Sequence, residues 1–318
     1  MAGQLAGVRM QQKLDGRLDS RALRTLAGRS DIAGWLQLLG HVTALGLTGT
    51  LVLAVIGSPW LLPAMALHGI VLVFLFAPLH ETIHRTAFAS RRANNAVAFL
   101  VGLPLVLPPA WFRAFHFTHH RHTQDPRRDP ELATPKPTSR ASWLLHVSGL
   151  PYWRERLRTT TRQALGRVDD PFVPPRERPA VTREARSYLA LYAAVLALAA
   201  GFGSAWPLVL WIGPALLGQP FLRLYLLAEH TGCPLVPDML ANTRTTLTNR
   251  IVRRLAWNMP YHAEHHAYPA IPFHRLPDAH ALLRNDLAVI GDGYLAVNLE
   301  ILTALDGERA AREPAGSS

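Results

Sequence analysis

The sequence predicts an all-α integral membrane protein, with four transmembrane helices in two hairpins and a cytoplasmic helical cap carrying clustered histidines. Three observations lead there: long uncharged apolar runs, the placement of the basic residues around them, and the spacing of the histidines.

The apolar runs come first. Residues 35–57 and 61–79 contain no Asp, Glu, Lys or Arg, and neither does the stretch from Ser187 to Leu222. About 20 apolar residues in a helix span the hydrocarbon of a bilayer, where lipid cannot satisfy bare backbone groups. The expected spans are 35–57, 61–79, 187–202 and 205–222, the third of them short. The stretch 94–109 is apolar but broken by Pro104, Pro108 and Pro109. It is expected to lie at the membrane surface or to dip into it.

Charge sets the orientation. The 33 Lys+Arg divide as 6 in residues 1–34, 18 in 85–186 and 9 in 223–318, and the turns at Ser58–Trp60 and Gly203–Ala205 carry none. The positive-inside rule therefore places both termini and the middle segment in the cytoplasm. This topology accounts for the formal net charge of +11 without a nucleic-acid partner. A basic cytoplasmic face also suits acyl-CoA, acyl carrier protein or anionic lipid. Only Lys13 and Lys136 are lysines, an Arg-rich usage that points to a GC-rich bacterial source and so to the inner membrane. The single cysteine, Cys233, excludes an internal disulfide and a multi-cysteine metal site.

The expected organisation is a cytoplasmic segment at 1–34 and a membrane domain at 35–285. The spans alternate there with cap segments 80–186 and 223–285. A C-terminal segment 286–318 follows, disordered from Gly307. Residues 1–34 are polar, and the first apolar run begins too late and is too long for a cleaved signal.

Eight of the 15 histidines stand in three clusters. They are His80-Glu-Thr-Ile-His84, His116-Phe-Thr-His119-His120 and His262-Ala-Glu-His265-His266. On a helix, positions i, i+3 and i+4 share one face, so each cluster can aim its imidazoles at one point. Three such clusters suit metal binding. A zinc protease would use the first and one further ligand, leaving the other two clusters idle. A membrane metal transporter would place its ligands at mid-bilayer rather than at the cytoplasmic ends of the spans. His41 and His68 are expected to be core residues, His122 to point away from the clusters, and His146, His274 and His280 to be ordinary packing or surface residues.

The set HETIH, HFTHH and HAEHH beside two membrane hairpins resembles the membrane fatty acid desaturase and hydroxylase superfamily. Trp111 and Arg113, Asn258-Met-Pro-Tyr, Tyr268-Pro and the Pro272-Phe-His-Arg-Leu-Pro277 run agree with it, and the resemblance covers about residues 35–285. It implies a ninth ligand, His230, and an asparagine holding a metal-bound water, for which Asn258 is the candidate. Nine imidazoles with no thiolate suit two Fe(2+) per chain with O2 as co-substrate. Glu81, Glu229 and Glu264, each beside a ligand histidine, are expected to accept N–H bonds from the imidazoles.

The implied chemistry is hydrogen abstraction from a methylene of a lipid-like acyl chain, giving an alkene. Hydroxylation or ketone formation is the alternative within the superfamily. The chain has no cytochrome b5-like motif, cysteine cluster or dinucleotide fingerprint, so a separate ferredoxin, rubredoxin or cytochrome is expected as electron donor.

Overall fold

The computed structural model describes residues 18–312, with side chains through residue 306. Residues 1–17 and 313–318, the ends of the two flanking segments expected from sequence, lie outside the described residues. The architecture is helical. A short helix α1 (Ser20–Leu26), capped by Asp19, leads into α2 (Asp31–Ala54), capped by Ser30. After a tight turn come α3 (Leu61–Val73) and α4 (Phe76–His84). These two run on as one continuous span, Leu61–His84, through a turn tightened where Leu75 N donates to Leu72 O.

A bent pair follows, α5 (Arg91–Gly102) and α6 (Pro109–His122), with a 95° bend between them. Two helices, α7 (Arg140–Val147) and α8 (Leu150–Ala164), then lead to the long α9 (Arg178–Gly201). A π-helical turn at Leu208–Ile212 opens into α10 (Gly213–His230). The C-terminal part contains α11 (Met239–Asn242), α12 (Arg250–Leu255), α13 (His262–Ala267), α14 (Leu276–Leu283) and α15 (Tyr294–Arg312). Strands β1 (Thr245–Leu247) and β2 (Ile290–Asp292) form a short parallel pair there.

Among the described residues, three helices are long and apolar enough to cross a membrane: Asp31–Ala54, Leu61–His84 and Leu208–His230, or four if the bent pair counts as one span. The protein is a multi-pass membrane protein. The third span expected from sequence, 187–202, differs: it is the C-terminal part of α9. Arg178, Arg183, Glu184 and Arg186 in the first half of α9 keep the helix as a whole off that list of apolar helices. The helix α15 runs past Gly307, where disorder was expected, to Arg312.

Two features fix this arrangement. The first is the bend between α5 and α6. Prolines and a left-handed Val106 (φ 53°) break the helix there and free its carbonyls, which cannot be left bare in an apolar setting. Four aromatic donors take them up. Tyr188 and Tyr192 of α9 donate to Phe99 O and Leu103 O, each at 2.7 Å. Tyr152 of α8 donates to Leu105 O at 2.8 Å, and Trp211 Nε1 to Pro104 O at 3.0 Å.

The second feature is the crossing of α3 with α10, the most extensive helix contact in the protein. A Cβ built on Gly69 would stand 2.0 Å from Pro214 O, and one on Gly218 would stand 2.2 Å from Gly69 C. Only glycines permit this approach. His41 and His68 stay in the helix packing. His41 Nε2 bonds Val71 O, and His68 bonds Thr48 Oγ1 and, across the π-helical turn, Leu210 O.

A side chain at the crossing must push the two backbones apart. Gly218→Val is expected to destabilise the protein by about 3 kcal/mol and to lower its metal content, because α10 and the α3–α4 span carry histidines of the site described next. Thermal unfolding and metal analysis in detergent check this; Leu217→Val on the exposed face of α10 should leave both unchanged.

Candidate metal centre

Helices at and beyond the ends of the apolar spans bring the three histidine clusters together. His80 and His84 stand one turn apart on α4, and His116, His119 and His120 share α6. His230 ends α10, and His262, His265 and His266 make up half of α13. All nine belong to groups of converging ligand atoms, and His122 belongs to none.

The nine fall into two sets. In one, His80, His84, His116, His120 and His265 offer nitrogens all within 4.8 Å of one another. In the other, His119, His230 and His266 do the same, and His230 is shared with a group of His262 and Glu229. Adjacent nitrogens are close: His116 Nε2 to His120 Nε2 is 2.9 Å, His119 Nε2 to His230 Nε2 is 3.2 Å, and His262 Nε2 to His230 Nε2 is 3.3 Å. Two imidazoles bound at right angles to one ion, with bonds of about 2.1 Å, hold their nitrogens about 3 Å apart. The sets adjoin where His120 and His266 stack at 4.0 Å between ring centroids.

Burial favours a bound cation. Both nitrogens of His80 and of His265, and Nε2 of His84 and of His266, are buried without a hydrogen-bond partner. Orphaned polar atoms of this kind are costly unless something coordinates them. Burial, reinforced by the surrounding imidazoles, holds the pKa of His262, His265 and His266 well below the ordinary histidine value. These rings are neutral at physiological pH, the form that binds metal. The donor set, neutral imidazole with flanking carboxylates and no thiolate, fits iron.

The ring orientations are set from outside. Asp129, in the loop after α6, sits 2.9 Å from His119 Nδ1 and receives its N–H. Thr123 Oγ1 lies 3.1 Å from His266 Nδ1, and Gln124 Nε2 donates to His230 O at 2.8 Å. Sequence reasoning passed over Asp129, whose signal was weak: an aspartate in a Pro- and Arg-rich loop ten residues beyond its histidine.

The three expected glutamates divide. Glu229 Oε2 stands 3.5 Å from His262 Nε2. Glu264 is buried but accepts from Thr245 Oγ1 and from His280 Nδ1 at 2.5 Å, so His280, read as an ordinary residue, buttresses α13. Glu81 accepts the backbone N–H of Phe273 at 3.0 Å. Glu131, unmarked in the sequence, reaches 3.5 Å from His119 Nε2. Burial disfavours its charge, but the Lys136 ammonium at 2.6 Å helps hold its carboxyl well below the usual range. Asn258 and Trp257 make a left-handed turn ahead of α13. The Asn258 amide donates to Phe273 O at 3.1 Å, leaving its Oδ1 for any water.

A cavity of about 280 Å³ opens against His80, His116, His119 and His262, with walls that include Phe76, Leu107, Trp111, Phe112, Phe115 and Leu226. It is close to the lower end of the roughly 300–1,000 Å³ typical of small-molecule sites.

Known proteins agree with this arrangement. The family described as fatty acid desaturase matches residues 57–297. The human sphingolipid delta(4)-desaturase/C4-monooxygenase DES2 is 30% identical over 233 residues, covering 69% of this chain and 64% of that protein. Its mouse counterpart is 27% identical over 229 residues, with the same coverage. The sn-1 oleoyl-lipid 12-desaturase of a Picosynechococcus strain is 31% identical over 105 residues, 30% of each chain. The chain spans less than two thirds of the length of the two sphingolipid relatives.

Purified protein is expected to hold about two irons per chain, and His84→Ala, His120→Ala or His266→Ala each to lower that content. Asp129→Asn should weaken metal affinity by about 10–100-fold, whereas His122→Ala should leave it intact. Metal analysis by mass spectrometry decides; an unchanged iron content after two cluster substitutions would refute the metal centre.

Proposed function

The chain belongs to the fatty acid desaturase family, and on that premise we propose that it is an O2-dependent, di-iron oxidoreductase that desaturates the acyl chain of a lipid. The observation that carries the reading is the convergence of nine imidazoles, seven buried and two half-buried, beside a largely apolar cavity.

We assign His80, His84, His116, His120 and His265 to one ferrous ion, and His119, His230, His262 and His266 to the other. Glu229 and the Oδ1 of Asn258 are placed as partners of water or a ligand ring, with Glu81 and Glu264 bracing the elements around them. The two ions would supply activation of O2 strong enough to break an unactivated C–H bond. The protein supplies placement. The aromatic and aliphatic walls exclude water and hold one methylene against the histidine face, and small errors there are costly in rate. Asp129 keeps His119 in the tautomer whose Nε2 faces the metal. The acyl carrier, whether CoA, carrier protein or phospholipid, lies at the partly exposed part of the cavity.

In the proposed topology α2, the Leu61–His84 span, the apolar half of α9 and the Leu208–His230 span cross the inner membrane. Both termini and the histidine-bearing cap are cytoplasmic, and 35–285 is the membrane domain. Charge distribution supports this. Reporter fusions after residues 30, 140 and 300 should read cytoplasm and those near Ser58 and Gly203 the other side. A residue 140 outside the cytoplasm would rule the topology out.

A second reading is hydroxylation, because the human relative's name joins desaturase to monooxygenase. Both outcomes share the first hydrogen abstraction, and the position of the second C–H decides between them. Cells expressing the protein and fed deuterated acyl substrates should yield products lacking two hydrogens. Products that retain their hydrogens and gain one 18O from labelled O2 would move the assignment to hydroxylase.

A further inference from the structure

The metal centre has a second face. Helix α6 is a partition: Trp111, Phe112, Phe115, His116 and His119 line the apolar cavity on one side, while Arg113, Ala114, Phe117, Thr118 and Arg121 line a separate cleft on the other. The two cavities share no residue. Into the second one project Arg29, Arg85, Arg91, Arg113, Arg121 and Arg176, against a single acidic side chain, Glu177.

This cleft reaches the metal ligands. His84, half-buried and a member of the five-histidine set, is part of its wall. Phe117, 39% exposed, lies beside it with ring centroids 5.3 Å apart. The arginines are not neutralised within the fold. Among the described residues, Glu177 approaches Arg176 at 3.8 Å, and none of the other five has a carboxylate within 4 Å. The Nε of Arg85 is buried without a partner. An exposed aromatic ringed by arginines, five of them with no carboxylate within 4 Å among the described residues, is the composition of a protein-docking hot spot.

The proposed reaction requires a partner there. Converting CH2–CH2 into CH=CH releases two hydrogen atoms, and reducing O2 to two waters takes four electrons and four protons. The substrate supplies two of each, so two electrons must come from a donor and two protons from water. One cysteine in the chain cannot ligate an iron–sulfur cluster, and the apolar cavity is occupied by substrate during turnover.

We propose that the arginine cleft around His84 is the docking surface for an acidic one-electron carrier protein, and that electrons enter the metal centre through His84. Two carriers are oxidised per turnover. Steering by the cleft's charge raises the encounter rate and makes it salt-sensitive. The inference rests on the di-iron reading above, and its test separates the two.

Iron-loaded protein in detergent, oxidised, is mixed anaerobically with a reduced acidic two-iron ferredoxin and, separately, with dithionite. The ferredoxin reaction is expected to slow about tenfold or more between about 20 mM and 500 mM salt. The exposed pair Arg91→Glu with Arg176→Glu should lower the low-salt rate by a similar factor, while iron content and the dithionite reaction stay as in the parent. Arg91→Gln with Arg176→Gln should fall in between, and Arg167→Glu, outside the cleft, should change nothing. A ferredoxin rate indifferent to both pairs, with dithionite still reducing the iron, overturns the docking surface alone. The same holds if the pairs instead lose binding to phosphatidylglycerol vesicles, which would make the cleft a lipid contact. Iron that dithionite cannot reduce overturns the di-iron reading, and this proposal with it.

Discussion

Nine imidazoles cannot share one buried volume unless something takes their lone pairs. Each ring here is desolvated, several have nitrogens with no partner, and the nearest nitrogens face each other at about 3 Å. Every other feature of the site follows from that constraint. Rings that bind a metal must be neutral, and burial with mutual proximity favours that form in His262, His265 and His266. They must be aimed, so α6 and α13 carry ligands one turn apart, and Asp129 and Thr123 fix ring rotation. They must come from distant parts of the chain, so the spans that deliver His84 and His230 are locked together. The crossing at Gly69 and Gly218 does that locking, with backbone against backbone and no side chain between to yield.

Division of the site into faces is the second organising fact. A single helix, α6, contributes ligands along one stripe, apolar wall beside them, and arginines on its back. In the proposed reading, substrate and reductant therefore reach the same metal centre from opposite directions, past different histidines. That separation matters for chemistry in which an apolar chain must remain dry while charge is delivered.

Much of this was legible in the sequence. The i, i+3, i+4 spacing of the three clusters identified eight of the nine converging histidines, because helical geometry leaves one face for such a set. His230 came from resemblance, since a lone histidine at a helix end carries no spacing signal. Apolar runs located three spans that the helices match in length and composition, whereas the fourth run, 187–202, is the uncharged half of α9, a helix that begins upstream among arginines. What escaped was long-range. Asp129 meets His119, His280 meets Glu264 and Glu81 meets the Phe273 N–H only through tertiary folding, and no local pattern announces those pairs. Glu81 and Glu264 were read as partners of neighbouring ligands; their bonds run to other elements.

The aromatic clasp over the α5–α6 bend bears on how the chain is made. The carbonyls of residues 99–105 precede their donors by 47, 89, 89 and 107 positions in the chain. During synthesis they emerge well before Tyr152, Tyr188, Tyr192 and Trp211 exist to cover them. Hydrocarbon would be closed to bare carbonyls in that interval, so the bend must wait in a wet environment. It can seat itself only once α9 and the start of the Leu208–His230 span have arrived. The clasp over the bend therefore closes late in folding, on the arrival of helices made after it.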